Sequence, residues 1–126
     1  MSHSYKDLVA WQKAIVFVTE VYRATNKFPQ HEIYGLVSQL RRAAVSVPSN
    51  IAEGQGRNSP AEFRHFLGLA RGSLLELETQ LLIACNLKYI EQKETDTLIV
   101  SCREVFRIVN GLLDSLPRSR QRTAAA

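Results

Sequence analysis

The sequence predicts an all-α protein, an up-down-up-down antiparallel four-helix bundle with a kinked second helix. Apolar residues recur at helical spacing in four long segments, proline and glycine separate these segments, and no stretch alternates apolar and polar residues as a half-buried strand does. Helices of about 20 residues are about 30 Å long, and short connections between them make neighbours antiparallel.

The first helix is predicted from Asp7 to Lys27, and the Phe28-Pro29 step ends it because a residue before proline avoids the helical conformation. Large apolar residues follow a 3-4-3-4 spacing, which is typical of a bundle seam. We therefore expect the core face of this helix to comprise Leu8, Trp11, Ile15, Val18 and Tyr22.

The second helix is predicted from Glu32 to Gly54. Pro48 lacks the N–H that would bond to the carbonyl of Ala44, so a kink is expected there. Gly54 and Gly56 can end the helix in conformations that other residues avoid. The expected core line is Ile33, Val37, Leu40, Ala44, Val47 and Ile51.

The third helix has the clearest start, with Ser59 as N-cap, Pro60 at the first helical position and Glu62 three residues after the cap. Its apolar line is Phe63, Leu67, Ala70, Leu74, Leu77, Leu81 and Ala84. The fourth helix is predicted from Thr95 to Leu116, just before Pro117. Its heptad line is Leu98, Cys102, Val105, Val109, Leu112 and Leu116.

Composition indicates one soluble globular domain, since the 126 residues are 45% apolar and 22% charged. We expect the bundle to span residues 1–116 and residues 117–126 to form a basic, disordered tail. The net charge of the chain is +4, and the tail alone carries three positive charges, on Arg118, Arg120 and Arg122. The basic pI is therefore weak support for nucleic-acid binding by the folded body.

Residues typical of catalysis or metal binding are sparse. Cys85 and Cys102 lie inside apolar helical patterns without CxxC spacing, which favours reduced thiols in a cytoplasmic protein. No apolar run reaches the ~18 residues of a membrane span, and no secretory leader is evident. Glu62 and His65 form a single Glu-x-x-His unit, whereas a bundle di-iron site needs two. No metal, cofactor or membrane association is predicted.

Small residues also mark a place where helices can approach closely. Gly68 and Gly72 lie one turn apart on the third helix and are expected to admit another helix. The small residues Ala43, Ala44 and Ser46 of the second helix are the candidate neighbours.

One face of the second helix carries an unbroken polar stripe. At every third or fourth position stand Gln39, Arg42, Ser46, Asn50, Glu53 and Arg57. An ordinary solvated face is rich in Lys and Glu, whereas this one mixes arginine with short hydrogen-bonding side chains beside a proline. The composition suggests a surface that meets a partner, with Ser46, Asn50 and Glu53 at its centre.

Arginines are the candidate nucleic-acid-binding residues, because the planar guanidinium matches phosphate geometry. The set comprises Arg42, Arg57, Arg64, Arg71, Arg118, Arg120 and Arg122. The alternative role of these arginines is intramolecular pairing with Glu53, Glu76 or Glu78. Aromatic residues are not interleaved with the arginines, so contact with the phosphate backbone would dominate any RNA or DNA binding.

Two helices carry more apolar residues than one core face needs. The fourth helix has a second line with Ile99, Phe106 and Leu113, and the first adds Ala14, Phe17 and Val21. The surplus is either a wide core face or a subunit interface. We expect assembly, with Phe17, Ile99, Phe106 and Leu113 at the interface.

Four sequence motifs make the chain resemble a known family. They are Tyr5-Lys-Asp-Leu8 with Trp11, the run LRRAAVSVPSNIAEG at 40–54, Glu62-Phe63 with Phe66-Leu67, and GSLLELETQL at 72–81. Over about residues 4–116 the chain resembles the four-helix-bundle family of 23S ribosomal RNA intervening-sequence proteins. The resemblance implies a cytoplasmic bacterial protein that forms a ring-like homo-oligomer, with five subunits the leading number. The family is similar to the pentameric, nucleic-acid-binding accessory proteins of diversity-generating retroelements.

Three functional hypotheses follow. The leading hypothesis is a non-enzymatic oligomeric accessory of a nucleic-acid or ribonucleoprotein assembly. The second is a protein–protein adaptor whose polar stripe receives a partner or a neighbouring subunit. The third, an enzyme, would require a deep pocket that holds Glu53 and an arginine, and no catalytic residue is predicted.

Overall fold

The computed structural model describes residues 4–118, so Arg120, Arg122 and the rest of the predicted tail beyond Arg118 lie outside the described residues. Four long helices make up this part of the chain: α1 Val9–Thr25, α2 Leu36–Gln55, α3 Pro60–Asn86 and α4 Gln92–Ser115. Short 3-10 turns at Tyr5–Asp7 and Gln30–Glu32 precede α1 and α2. Each helix packs against two neighbours in the cyclic order α1–α2–α3–α4, which confirms the four-helix bundle.

The core face of α1 differs from the prediction. The buried apolar residues are Ala10, Ala14, Phe17, Val21 and Ala24, which also follow heptad spacing. The expected seam is only partly covered, and Ile15 and Tyr22 within it are exposed. Small alanines let the neighbouring helices approach α1 closely, so the narrower line faces the core and the bulkier line flanks it.

The core line of α2 is confirmed except for Ile33, which precedes the helix and is exposed. The helix begins at Leu36, later than predicted, because the side chain of Glu32 folds back and Oε1 accepts the N–H of Leu36 at 3.0 Å. The helix continues without a break through Pro48, which is buried. The kink at Pro48 stays a prediction.

The start of α3 is confirmed, because the hydroxyl of Ser59 accepts the N–H of Glu62 at 3.1 Å and Pro60 is the first helical residue. The helix ends in a Schellman motif, in which the N–H of Tyr89 bonds to the carbonyl of Ala84 at 3.0 Å. Lys88 adopts the left-handed conformation that this ending requires, with φ 67°.

The expected role of two α3 glycines is wrong. A Cβ added at Gly68 or Gly72 would meet no atom within 4 Å, so both positions face outward. Gly54 of α2 is instead the glycine at a helix contact, because a Cβ there would lie 2.9 Å from Phe63 Cδ1 and from Phe66 Cβ. The close approach therefore occurs where the C-terminal end of α2 meets the start of α3.

Two of the expected interface residues lie in the core of the chain itself. Phe17 is 1% exposed and Ile99 is 9% exposed, so neither can contribute an exposed surface to a second copy. Phe106 and Leu113 are half-buried and packed against the core. The second apolar line of α4 is therefore largely a wide core face. The neighbours of these two core residues, Val16 (59%) and Val100 (68%), are among the exposed apolar side chains.

No helix within residues 4–118 is long and apolar enough to cross a membrane.

Candidate functional site

The two longest sequence motifs, residues 40–54 and 72–81, contribute to a groove between α2 and α3, here called the α2–α3 groove. Its volume is about 510 Å³, and its walls are formed by Tyr34, Ser38, Gln39, Arg42, Ala43, Ser46, Ser73 and Glu76. This volume falls within the range of about 300–1,000 Å³ that is usual for ligand pockets. Half of the predicted polar stripe thus lines a concave surface.

Hydrogen bonds between the two helices organise the floor of the α2–α3 groove. Ser46 Oγ lies 2.5 Å from Ser73 Oγ, and Gln80 Nε2 donates to Gln39 Oε1 at 3.2 Å. Gln80 is 6% exposed, and among the described residues its Oε1 has no hydrogen-bond partner. Ser46 and Ser73 therefore join the two motifs through a polar contact at the groove, and Gln80 is bonded to the groove residue Gln39.

The rim of the groove carries free charges and a free aromatic ring. Arg42 and Glu76 are both exposed, and neither forms an ion pair with any residue between 4 and 118. Tyr34, at the same groove, is 94% exposed. A partner can therefore contact these three side chains without breaking an existing ion pair.

The C-terminal half of the polar stripe interacts within the chain instead. Asn50 Nδ2 donates to the carbonyl of Ser46 at 2.8 Å. Arg57 pairs with Glu53 at 2.6 Å and with Glu62 at 3.6 Å, and its guanidinium lies 5.1 Å from the ring centroid of Phe66. The alternative of intramolecular pairing is thus realised at Arg57. Glu53 is exposed beside it and lines none of the described pockets.

The predicted arginines do not form one surface. The guanidinium of Arg64 donates to the carbonyls of Leu113 and Leu116, so Arg64 caps the C-terminal end of α4 and is not free for phosphate. The exposed Arg71 lies over the ring of Phe106, 5.2 Å from its centroid, and Arg118 is exposed after α4. Among the predicted arginines that the structure describes, Arg42, Arg71 and Arg118 therefore neither pair with a carboxylate nor cap a helix.

Sequence reasoning missed a second concavity, here called the α3–α4 pocket. Its volume is about 280 Å³, and it is lined by Leu74, Leu75, Glu78, Cys102, Arg103, Phe106 and Arg107. The available signal was the placement of Arg103, Phe106 and Arg107 within little more than one turn of α4. Only Phe106 of these residues entered the prediction from sequence, as part of an apolar line.

Electrostatics within the α3–α4 pocket are set by one ion pair. Arg103 donates to Glu78 through Nε at 3.1 Å and through a terminal nitrogen at 2.8 Å. This bidentate bond holds the pKa of Glu78 below its ordinary value. Burial raises the pKa of the Cys102 thiol to about 12, so the thiol is neutral.

Among residues 4–118, no group of three or more His, Cys, Asp or Glu side chains is arranged to hold a metal ion.

Comparisons with known proteins identify a family and a similar fold. The model of a family described as 23S rRNA-intervening sequence protein matches residues 6–111. The crystal structure of a protein of unknown function from the S23 ribosomal protein family of Bacteroides thetaiotaomicron VPI-5482 is similar, with a TM-score of 0.77. The alignment covers 85% of this chain and 100% of that chain at 19% sequence identity, so it shows the fold alone. The comparison with curated proteins gave no match.

Proposed function

The chain belongs to the 23S rRNA-intervening sequence protein family, and from that premise we propose that it acts without catalysis, as a homo-oligomeric bundle that holds a protein partner in the α2–α3 groove. The partner is another protein or a neighbouring subunit, and the protein works in the cytoplasm. Five subunits is the number that the family resemblance implies.

The observation that carries this proposal is the exposed Tyr34 beside the unpaired Arg42 at a groove built from two motifs. Tyrosine and arginine are enriched among the residues that dominate protein–protein binding energy. Glu76 on the same rim adds the opposite charge. A rim with both signs complements a protein surface, whereas the uniform negative charge of a phosphate backbone would be repelled by Glu76.

The test is affinity purification of tagged variants after nuclease treatment. We expect Tyr34→Ala or Arg42→Ala to lose the partners that the unmodified chain retains, because removal of such a residue costs about 2 kcal/mol, or about thirtyfold in affinity. Arg23→Ala is the matched control, since Arg23 is an exposed arginine of α1 without an ion pair in the described part of the chain.

Thermal unfolding of the same variants shows whether they fold, and little change is expected because both side chains are exposed. Retention of all partners by both variants would contradict the proposal. Recovery of only nuclease-sensitive material would favour the second candidate instead.

The second candidate is an accessory of a nucleic-acid or ribonucleoprotein assembly. It is supported by three predicted arginines that neither pair with a carboxylate nor cap a helix in the described part of the chain, Arg42, Arg71 and Arg118. Contacts to phosphates release counterions, so the affinity for structured RNA should fall as the salt concentration rises. For duplex DNA, each neutralised phosphate contributes about 0.9 to the slope of log affinity against log salt concentration.

We expect Arg71→Gln to reduce the salt slope by about one, while Arg57→Gln, at an arginine already paired with Glu53, changes it less. Binding titrations at two or more salt concentrations measure the slope. An affinity that does not change with salt, or no binding at low salt, would remove this candidate.

A further inference from the structure

The α3–α4 pocket combines an apolar floor with positive charges that no acidic side chain neutralises. Leu74, Leu75, Phe106 and the neutral thiol of Cys102 supply the floor. Leu75 remains half-exposed although it lines a concavity. An apolar concave surface that stays open to water gains free energy when an apolar group covers it.

The rim of the pocket has a surplus of positive charge. Arg103 is neutralised by its bidentate bond to Glu78. Arg107 lines the pocket and forms no ion pair within the described range, and the guanidinium of Arg71 lies over the ring of Phe106 without a carboxylate partner. Two guanidinium groups are thus free to bind an anion beside an apolar surface.

Two side-chain contacts join α3 and α4 at the pocket. The Arg103–Glu78 ion pair crosses from α4 to α3, and Arg71 reaches the ring of Phe106 from α3. Between these contacts lie only about two turns of α3, from Arg71 to Glu78. The volume of about 280 Å³ suits one compact group better than a continuous helix or strand.

We propose that the α3–α4 pocket binds a small organic anion in which a compact apolar group carries one carboxylate, such as an aromatic or branched aliphatic acid. The apolar group lies on Leu75 and Phe106, and the carboxylate accepts hydrogen bonds from Arg107 and Arg71. Arg103 holds the pocket open through Glu78 and does not touch the ligand. This site is separate from the α2–α3 groove, so the result does not depend on the function proposed there.

The test is a titration of the isotope-labelled full chain, followed by amide chemical shifts, with benzoate, 3-methylbutanoate, benzamide, uridine monophosphate and inorganic phosphate as separate probes. Benzoate and 3-methylbutanoate should shift the amides of residues 74–78 and 102–107, whereas benzamide, which lacks the charge, should bind at least about tenfold more weakly. Binding in the millimolar range is expected of ligands this small.

Two variants distinguish the contribution of the positive charge to binding from the contribution of the apolar floor. Arg107→Gln should weaken benzoate binding about tenfold or more, and Arg23→Gln, an exposed arginine elsewhere on the bundle, should leave it unchanged. Leu75→Trp should fill the pocket and block binding, and the half-exposed position allows the larger ring without disturbing the core. Arg107 is exposed as well, so its variant should fold.

Three outcomes would overturn the proposal: equal binding of benzoate and benzamide, equal shifts with inorganic phosphate alone, or shifts that avoid the pocket. Tighter binding of uridine monophosphate with the same dependence on Arg107 and Leu75 would also overturn the proposal, because the ligand would then be a nucleotide phosphate and not an apolar carboxylate. Loss of partner binding in the groove variants Tyr34→Ala and Arg42→Ala, with the anion still bound, would confirm that the two sites are independent.

Discussion

Adjacent arginines of α2 take opposite roles. Arg41 donates through Nε to Thr25 and through a terminal nitrogen to Asn26, and its guanidinium lies 4.6 Å from the ring centroid of Tyr22, so it fastens α2 to the end of α1. Arg42, one residue on, points to the rim of the α2–α3 groove and has no ion pair in the described structure. A rotation of 100° around the helix separates a structural residue from a candidate binding residue.

A second residue-scale feature lies at the end of the bundle. Glu32 accepts the N–H of Leu36 at 3.0 Å and the hydroxyl of Tyr89 at 2.8 Å, and Tyr89 also packs on Phe28. The backbone hydrogen bond from Leu36, followed by the bond from Tyr89, lowers the pKa of Glu32. The same bond raises the pKa of Tyr89. One carboxylate therefore caps α2 and ties it to the loop after α3.

This cluster predicts a pH dependence of stability. Because the pKa of folded Glu32 lies below its ordinary value of 4.5, its contribution is fully present above that value and is lost as pH falls through the lowered pKa. Urea unfolding at a series of pH values should show that Glu32→Gln reduces stability at neutral pH, with the difference from the unmodified chain narrowing in acid. Glu76→Gln, at an exposed and unpaired carboxylate, is the matched control. A Glu32→Gln effect that is independent of pH would contradict the assignment.

At the scale of elements, α1 illustrates how two heptad lines compete for one core. Leu8, Trp11 and Val18 belong to the line with the larger side chains, whereas Ala10 and Ala14 belong to the line that is buried. Side-chain size favoured the wrong line in the prediction. The half-covered line borders a groove of about 370 Å³ between α1 and α2, where Trp11 contacts Tyr5 edge to face.

The contact between α2 and α3 depends on a single missing side chain. Gly54→Ala should lower the free energy of unfolding by about 2 kcal/mol, because the new methyl group would overlap Phe63 and Phe66 and the helices would have to move apart. Gly72→Ala is the matched control within a helix of the same bundle. It should raise the free energy by about 0.5–1 kcal/mol, since the space beside it is open and alanine favours the helix.

Chemical denaturation of both variants measures the two differences. Equal effects of the same sign would show that helix propensity, rather than the close approach at Gly54, governs both positions.

At the scale of the whole molecule, the four faces of the bundle differ in chemistry. The α1–α2 groove is largely apolar, the α2–α3 groove is polar with charges of both signs, and the α3–α4 pocket is apolar with free arginines. The groove between α1 and α4 carries Glu20 and the Lys13–Glu104 ion pair beside the exposed Val16. Such separate faces suit a molecule that meets several neighbours at once.

The proposed assembly is tested at this scale. Native mass measurement should give a multiple of 14.2 kDa, and five copies would match the number that the family resemblance implies. We expect Val16→Glu combined with Val100→Glu to reduce the mass towards that of one chain while circular dichroism keeps its helical signal, because both side chains are exposed. Thr97→Glu, on the exposed surface of the same α4, is the control for added charge. A single-chain mass for the unmodified protein at micromolar concentration would refute assembly.

The sequence by itself determined the parts of the fold that local physics controls. Helical periodicity located four helices and the core lines of α2, α3 and α4, and the Ser59-Pro60 step fixed the start of α3 because an N-cap satisfies backbone donors within its own turn. The polar stripe of α2 was also visible, since its positions from Gln39 to Glu53 share one helical face.

Only the tertiary structure decided which side of α1 faces the core and which arginines are free. Both lines of α1 have the same spacing, so the choice depends on how closely the neighbouring helices can approach. Arg64 and Arg71 stand two turns apart on the same helix, yet one caps α4 and the other covers Phe106. The arginine side chain is long and flexible, so its guanidinium binds the groups that folding brings within its reach. Those groups are distant from the arginine in the sequence, and the sequence alone does not identify them.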